Sequence, residues 1–279
     1  MSVQSFIPTI WSETLQKSLN EKYVGVANCS REYEGEIRKK GSRVRILNVG
    51  EVNVSTYTPN TNMSNPQSLD GTSTELVVNQ AKYFNFQLDD IDHAQTVPGL
   101  MEAAMKNAAA ALAKEADRYV YMLYGEVTNT VFCDLANENN PNIVNTFLEA
   151  RTKLLEGGVS DVNDIVFEVS PKVAEELLKK EISLSTDNTD LLENGCIGKL
   201  AGCKIFVSNN IVTDEGSAAM HHFCLARSRR AVAFAEQISE IEAYRPEMRF
   251  ADAVKGLHLY GAKIVYPNEI CVVDISVNI

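Results

Sequence analysis

The hydrophobic and polar positions from Pro98 to Tyr124 follow the period of an α-helix. Apolar residues recur at steps of three and four, at Met101, Met105, Ala108, Leu112, Ala116, Tyr119 and Leu123. Charged residues fill the other face, at Glu102, Lys106, Lys114, Asp117 and Arg118. Thr96 is placed to cap this helix, and Gly125 to close it in the left-handed conformation. A helix of this length would span roughly 40 Å, which predicts a rod that carries other elements along its apolar stripe.

Upstream of this helix the hydrophobic period changes to two, which is typical of strands. Apolar and polar residues alternate in residues 44–54, and a second strand-like run spans Leu76–Phe86. The connection between them, Thr58–Thr74, is almost wholly polar. A polar connection of this length between two strands predicts a projecting hairpin with a loose tip.

The chain before the hairpin contains one short amphipathic pattern, formed by Trp11, Leu15 and Leu19. The polar stretch Ser30–Glu36 follows it. This pattern predicts an arm that lies outside the core.

A second unit of helices and strands is predicted after the long helix. Its elements are a helix opened by Asn140–Pro141 and ended by Gly157–Gly158, a strand at Ile165–Val169, a helix from Ser170–Pro171 through Leu178, a polar loop at Ser183–Gly195, a turn centred on Gly198 and Gly202, and strands at 204–208 and 222–226. The last two strands, at 256–267 and 270–277, are predicted to pair with each other. Because helices and strands do not follow a strict βαβ rhythm, the predicted fold class is α+β.

Composition narrows the function classes. The 279 residues carry a formal net charge of -11, which argues against a basic surface that binds nucleic acid by neutralising phosphates. No apolar run approaches the ~18 residues that a membrane span needs, and nothing at the N-terminus resembles a signal peptide. Six cysteines stand at irregular spacings, at Cys29, Cys133, Cys196, Cys203, Cys224 and Cys271. We therefore expect reduced thiols and synthesis in the cytoplasm.

Three groups of residues could carry chemistry. The first group has side chains that can ligate a metal, but their spacing is not that of a zinc site. Its members are Cys196, Cys203, His221, His222 and Cys224. The acidic cluster Asp89–His93 could hold a divalent cation, but acids at this place also stabilise the start of a long helix. The basic residues of Arg227–Arg230 are interpreted as surface charges or as partners for acids of a neighbouring subunit. We expect no catalytic, metal-binding or cofactor-binding residues.

Four stretches together resemble the major capsid proteins of tailed bacteriophages, particularly the branch related to the coat protein of short-tailed phages. They are Phe6–Ser12, Gln80–Asp92, Gly198–Asn210 and Tyr244–Val265. No single stretch is diagnostic, but their order along the chain is that of the family.

The resemblance implies an HK97-like α+β fold in four parts. These are an N-terminal arm at 1–41, an extended hairpin loop at 42–88, a peripheral domain with a spine helix at 89–139 that 240–279 completes, and an axial domain at 140–239. It also implies a structural subunit of an icosahedral shell, with pentamers and hexamers that enclose DNA without sequence-specific binding.

The expected partners are a separate scaffolding protein and a portal, and the fold is compatible with a decoration protein. The expected location is the virion capsid, after synthesis in the host cytoplasm, with no membrane association. Acids of the long helix, Glu102, Glu115 and Asp117, are expected to face the packaged DNA and to repel it.

The alternative from another class is a cytosolic enzyme or ligand-binding protein. Its site would lie near Asp89–His93 or between Cys196 and Cys224.

Overall fold

The computed structural model describes residues 15–33, 43–48, 54, 56–57, 59, 62, 65, 72–89, 100–135, 142–179, 196–215, 219–248 and 251–278. The helices are α1 (residues 15–22), α2 (Leu100–Met122), α3 (Ile143–Glu156) and α4 (Pro171–Lys179). Short 3-10 turns occupy Val26–Asn28, Leu123–Glu126, Val162–Asp164, Arg229–Ala231 and Pro267–Glu269.

Twelve strands are described. They are β1 (Arg43–Asn48), β2 (Thr72–Val77), β3 (Gln80–Asp89), β4 (Thr130–Asp134), β5 (Ile165–Val169), β6 (Cys196–Leu200), β7 (Cys203–Val207), β8 (Thr213–Glu215), β9 (Ala219–Ser228), β10 (Val232–Tyr244), β11 (Ala251–Ile264) and β12 (Ile270–Asn278). The mixture of helices and sheets confirms the predicted α+β class.

The larger sheet has seven strands. Its order is β4-β12-β9-β5-β7-β6, and β8 pairs with β9. Pairing is parallel for β4 with β12 and for β5 with β7, and antiparallel elsewhere. Helices α3 and α4 cover one face of this sheet and enclose a core with buried residues from Val131 to Val277.

The smaller sheet has the order β10-β11-β3 and is antiparallel throughout. A second core lies between this sheet, α2 and residues 15–29. Leu15, Leu19 and Tyr23 are buried there. The interpretation of the early chain as an arm outside the core is therefore wrong for residues 15–29, whereas Trp11 lies outside the described residues.

The predicted hairpin is present at its base, where β1 pairs antiparallel with β2. Val44, Ile46 and Leu76 are buried against the smaller sheet. A Cβ atom on Gly261 of β11 would lie 2.3 Å from the Val77 carbonyl oxygen, so glycine lets the hairpin cross the sheet closely. The base of the hairpin thus belongs to the fold.

Most of the helices and strands predicted for the second unit begin and end near the observed boundaries. Strand β5 matches the predicted strand, and α3 ends before Gly158, whose φ is 105°. Helix α3 begins at Ile143, and the side chain of Asn142 caps it by accepting from the Val144 N–H at 3.2 Å. Ser170 Oγ accepts from the Val173 N–H at 3.4 Å at the start of α4. The predicted loop 183–195 lies outside the described residues.

Several local expectations are wrong. Gly125 lies in a 3-10 turn and does not close α2 with a positive φ. The run Leu76–Phe86 is two strands, because it is interrupted after Val77. The turn between β6 and β7 consists of Ala201 and Gly202, while Gly198 lies inside β6.

Strands β11 and β12 do not pair with each other, although they were predicted to. Strand β11 lies between β10 and β3, and β12 lies between β4 and β9. The sheets therefore do not divide at residue 240, since β10 spans that position and β12 belongs with the strands of 140–239. The predicted division of 140–239 from 240–279 does not correspond to separate sheets.

Candidate functional site

Residues 23–31, which we call the N-terminal clasp, contact α2 and both sheets. Asp117 of α2 is buried, and its carboxylate oxygens accept hydrogen bonds from the backbone N–H groups of Val24 at 3.0 Å and Val26 at 2.9 Å. Burial raises the pKa of Asp117 to about 6, against the opposing effect of these N–H donors. The carboxylate therefore fastens the turn of the clasp to α2.

A buried ion pair fastens the clasp to the larger sheet. Arg227 of β9 and Glu168 of β5 are both 0% exposed, and Arg227 Nε and Nη2 each donate to the Glu168 carboxylate at 2.9 Å. The same guanidinium donates to the Gly25 carbonyl at 2.8 Å and to the Asn28 carbonyl at 2.9 Å. The Asn28 side chain donates to Glu168 at 3.1 Å. One charged pair thus joins two strands and the clasp.

The other end of the clasp is bound to the smaller sheet. Glu236 of β10 accepts hydrogen bonds from the Tyr23 hydroxyl, from Arg31, and from His258 Nε2 at 2.8 Å. Burial alone would raise the pKa of Glu236, but His258, Tyr23 and Arg31 together lower it below its usual range. Ser30 adds backbone bonds to β10, donating to the Val232 carbonyl at 2.9 Å.

Large apolar side chains remain exposed on the open face of the smaller sheet. Tyr83 of β3 is 77% exposed and lies opposite Leu257 of β11, which is 37% exposed. Lys255 pairs with Glu242 at 2.8 Å beside them, and its ammonium lies 5.1 Å from the centre of the Tyr244 ring. This face is an amphipathic surface of the kind that contacts other proteins.

A row of aromatic rings lies on the face of the larger sheet opposite α3 and α4. Phe132 of β4 is 57% exposed, and its ring centre is 6.2 Å from that of His221. His221 Nδ1 lies 2.9 Å from Asp274 Oδ1, and the Phe223 ring is stacked on Tyr124 at 4.4 Å. The row offers a second amphipathic surface.

The third exposed surface is an apolar groove beside α4. Leu178, 53% exposed, lines it together with Ala174, Ile197 and Val207. Lys179 forms ion pairs with Glu175 and Glu176 at its margin, at 2.8 Å each.

Comparison with solved structures finds folds that are similar to this chain over most of its length, and three of these structures are described here. A structure from Mycobacterium phage Che8 is 25% identical, covers 90% of this chain and 90% of its own, and has a TM-score of 0.67. The capsid of Ralstonia phage GP4 is 12% identical, with coverages of 93% and 90% and a TM-score of 0.73. A virus-like particle from Pyrococcus furiosus is 13% identical, with coverages of 96% and 99% and a TM-score of 0.58. No family model and no curated protein sequence matches.

This chain has the HK97-like fold of phage capsid proteins.

Helix α2 is the element predicted as the spine helix, and β1 and β2 lie within the range predicted for the extended hairpin loop. The expectation that acids of α2 face the packaged DNA is wrong at Asp117, which is buried inside the subunit. Glu102 and Glu115 do reach the surface, but they pair with Lys106 at 2.8 Å and with Lys82 at 3.0 Å. The helix therefore presents mixed charge.

The predicted surface role of Arg227 is also wrong, since it is buried and pairs with Glu168 of the same chain. Arg230 pairs with Glu269 at 2.5 Å, likewise within the chain. The sequence did contain a signal for the buried pair. Glu168 and Arg227 are single charges inside two strands of otherwise uncharged residues, and a charge buried in this way needs a partner.

The capsid fold separates the residues considered as metal ligands. Cys203 and Cys224 face the core under α3 and α4, Cys196 lies in a small separate cluster, and His221 lies in the aromatic row. All six cysteines are buried and free, and burial raises the pKa of Cys224 to about 12, which keeps its thiol protonated. Across the described ranges, no three His, Cys, Asp or Glu residues are grouped to hold a metal ion.

The acidic cluster at 89–93 lies outside the described residues except for Asp89, which ends β3. No helix in the described part of the chain is long and apolar enough to cross a membrane.

Proposed function

We propose that this chain is the major capsid protein of a tailed phage, whose copies associate as pentamers and hexamers of an icosahedral shell around the genome. The observation that carries the proposal is the fold, which is similar over about nine-tenths of the chain to phage capsid structures, one of them at 25% identity. The resemblance of the four sequence stretches to the same family also supports it.

The surface of the subunit fits this role. Tyr83, Phe132 and Leu178 are large apolar side chains that are more than half exposed, and they lie on three separate faces. A shell subunit must contact several neighbours at once, whereas a small-molecule enzyme concentrates its function in one concave site. We infer a structural and non-catalytic role in the virion capsid.

The charge of the chain fits a wall that encloses DNA without binding it. The net charge of -11 gives the protein a negative field that repels phosphates. We propose that a separate scaffolding protein and a portal take part in assembly, and that no sequence-specific DNA contact is made.

The size of the protein in solution tests the proposal. The purified protein is examined by multi-angle light scattering and negative-stain electron microscopy, with and without a candidate scaffolding protein. Rings, sheets or closed particles are expected, because the three exposed faces need partners. A single discrete small oligomer under all these conditions would contradict the proposal.

A matched variant connects the assembly to the surface. Replacing Tyr83 and Leu257 together by Ser removes apolar area that is already partly in water, so unfolding by urea should change little. Assembly should weaken if this face lies between subunits. Unchanged assembly would assign the open face of the smaller sheet to the outside of the shell.

A further inference from the structure

The outer face of α2 carries two positive charges that have no partner. Lys114, Arg118 and Met122 follow each other at steps of four residues, so they lie along one face of the helix, and all three are exposed. Within the residues that the structure describes, the side chains of Lys114 and Arg118 form no ion pair and no hydrogen bond. Met122 is 60% exposed. We call these three residues the basic end.

A patch of the opposite charge lies on the larger sheet, at the exposed end of the aromatic row. Asp214 of β8 is exposed and lies opposite His221 of β9. Asp274 of β12 lies opposite the exposed Phe132 of β4, and its carboxylate is 2.9 Å from His221 Nδ1. We call Asp214, Asp274 and Phe132 the acidic end.

The strands that form the acidic end supply no exposed cation. Strands β4, β8 and β12 contain no lysine or arginine, and β9 contains only Arg227. Arg227 is buried in its pair with Glu168 and does not reach this surface. These strands therefore leave the negative charge of the acidic end without a lysine or arginine to balance it.

The two ends match each other in kind. Each has two charges of one sign and one large exposed apolar side chain. Arginine packs favourably on the face of an aromatic ring, and the methionine sulfur also makes favourable contacts with such a ring. Within one subunit the two ends form no ion pair, since the stacked rings of Tyr124, Phe223 and His221 run between the end of α2 and Phe132.

We propose that the basic end of one subunit binds the acidic end of a second copy of this chain. The inference deepens the proposed function and rests on it, because a shell supplies the neighbouring copies. Lys114 and Arg118 pair with the two aspartates across the contact, and Met122 packs against Phe132. Such a contact buries apolar area, and its charges select which surfaces meet.

A nucleic acid suits the basic end less well than a second copy does. Two cations on a chain of net charge -11 neutralise few phosphates, and the remaining field repels the polymer. An acidic surface with an aromatic side chain satisfies both the charges and the exposed Met122. This chain itself presents that surface, so no further partner is required.

Charge reversal followed by rescue tests the proposal on the purified protein, with association measured by sedimentation velocity over a range of concentrations. The basic-end variant is Lys114→Glu with Arg118→Glu, and the acidic-end variant is Asp214→Lys with Asp274→Lys. Each should associate at least about tenfold more weakly than wild type, because like charges then meet. An equimolar mixture of the two variants should regain association to within about threefold of wild type, because opposite charges face each other again. High salt should reduce these differences.

The matched control is Lys199→Glu with Lys204→Glu. These lysines lie opposite each other on β6 and β7, and their reversal changes the net charge by the same amount as the basic-end variant does. The control should associate like wild type. Urea unfolding checks the fold of every variant. If Asp274→Lys does not fold, Asp274→Asn takes its place beside Asp214→Lys, because asparagine keeps an oxygen near His221.

Three results would overturn the proposal. They are undiminished association of either reversed variant, an equal loss in the control, and a mixture that stays dissociated while wild type associates. The last result would assign the basic end to an acidic partner other than this chain.

Failure of this contact and failure of the proposed function give different results. Wild-type shells that still form in both reversed variants would contradict the contact alone. A mixture that associates as expected, from a chain whose wild type forms only a small discrete oligomer, would contradict the proposed function and support the contact.

Discussion

Replacing Arg227 by Met should destabilise the subunit strongly. Arg227 is completely buried and makes five hydrogen bonds, two to the Glu168 carboxylate, two to carbonyls of the clasp and one to Cys29 Sγ. Met fills a similar volume but leaves the Glu168 charge in the interior without a counter-ion. Removing one partner of a buried ion pair lowers the free energy of unfolding by about 3–5 kcal/mol. This is a large part of the roughly 5–15 kcal/mol that typically stabilises a folded domain.

The assay is urea unfolding of the unassembled subunit, with the free energy taken by linear extrapolation. Glu168→Met and the double variant complete a cycle with Arg227→Met. The double variant should cost clearly less than the two single changes together, because it leaves no charge unpaired. Arg43→Gln is the matched control, since its pair with Glu75 at 3.4 Å is exposed and should contribute less than about 1 kcal/mol.

Two results would refute this reasoning. A loss below about 1 kcal/mol for Arg227→Met would mean that water or another group already compensates Glu168. Strict additivity in the cycle would mean that the two side chains act independently.

Three further predictions concern the hairpin and the shell. Gly261→Val should lower the melting temperature and disturb the hairpin base, because the new Cβ would lie 2.3 Å from the Val77 carbonyl oxygen. The control is Gly125→Ala, whose new Cβ would have no neighbouring atom within 4 Å, and it should be nearly neutral in the same thermal melt. Deleting Pro59–Gly71 and closing the hairpin with a short turn should leave a cooperatively melting subunit that no longer forms shells in the microscope; normal shells would show that the tip is dispensable. Boiling particles in detergent should release monomers of about 30.8 kDa, because residues 41–81 contain no lysine that could be joined covalently to an asparagine of a neighbouring subunit. A ladder of covalent multimers would contradict this.

Periodicity alone was sufficient where an element is amphipathic and local. The three- and four-residue steps at Met105, Leu112 and Ala116 predicted α2, and these residues are buried. The short apolar run of β5, interrupted only by Glu168, predicted a buried strand, and all five of its residues are buried. In both elements, packing follows from residues that are near each other in the sequence.

Long-range partners explain what the sequence did not reveal. Asp117 sits next to Ala116 at the edge of the apolar stripe, and what buries it is the clasp, 91 residues earlier in the chain. The pairing partners of β11 and β12 depend in the same way on strands far away in the sequence, β3 and β4. Such long-range neighbours cannot be predicted from local patterns in a single sequence, because they are brought together only when the whole chain packs.

The exposed surfaces were the least predictable part of the candidate site. The sequence pattern around Tyr83 and Leu257 is that of ordinary strands. Their side chains are exposed because the hairpin base covers only part of this face of the smaller sheet.

Cryo-electron microscopy of particles assembled from this chain tests the central claim most directly. The account predicts an icosahedral shell whose pentamers and hexamers are filled by this fold, with the hairpin reaching across a neighbouring subunit and the clasp seated over Asp117 within its own subunit. Particles of another architecture, or a chain that stays a discrete small oligomer in the presence of its scaffolding protein and portal, would contradict it.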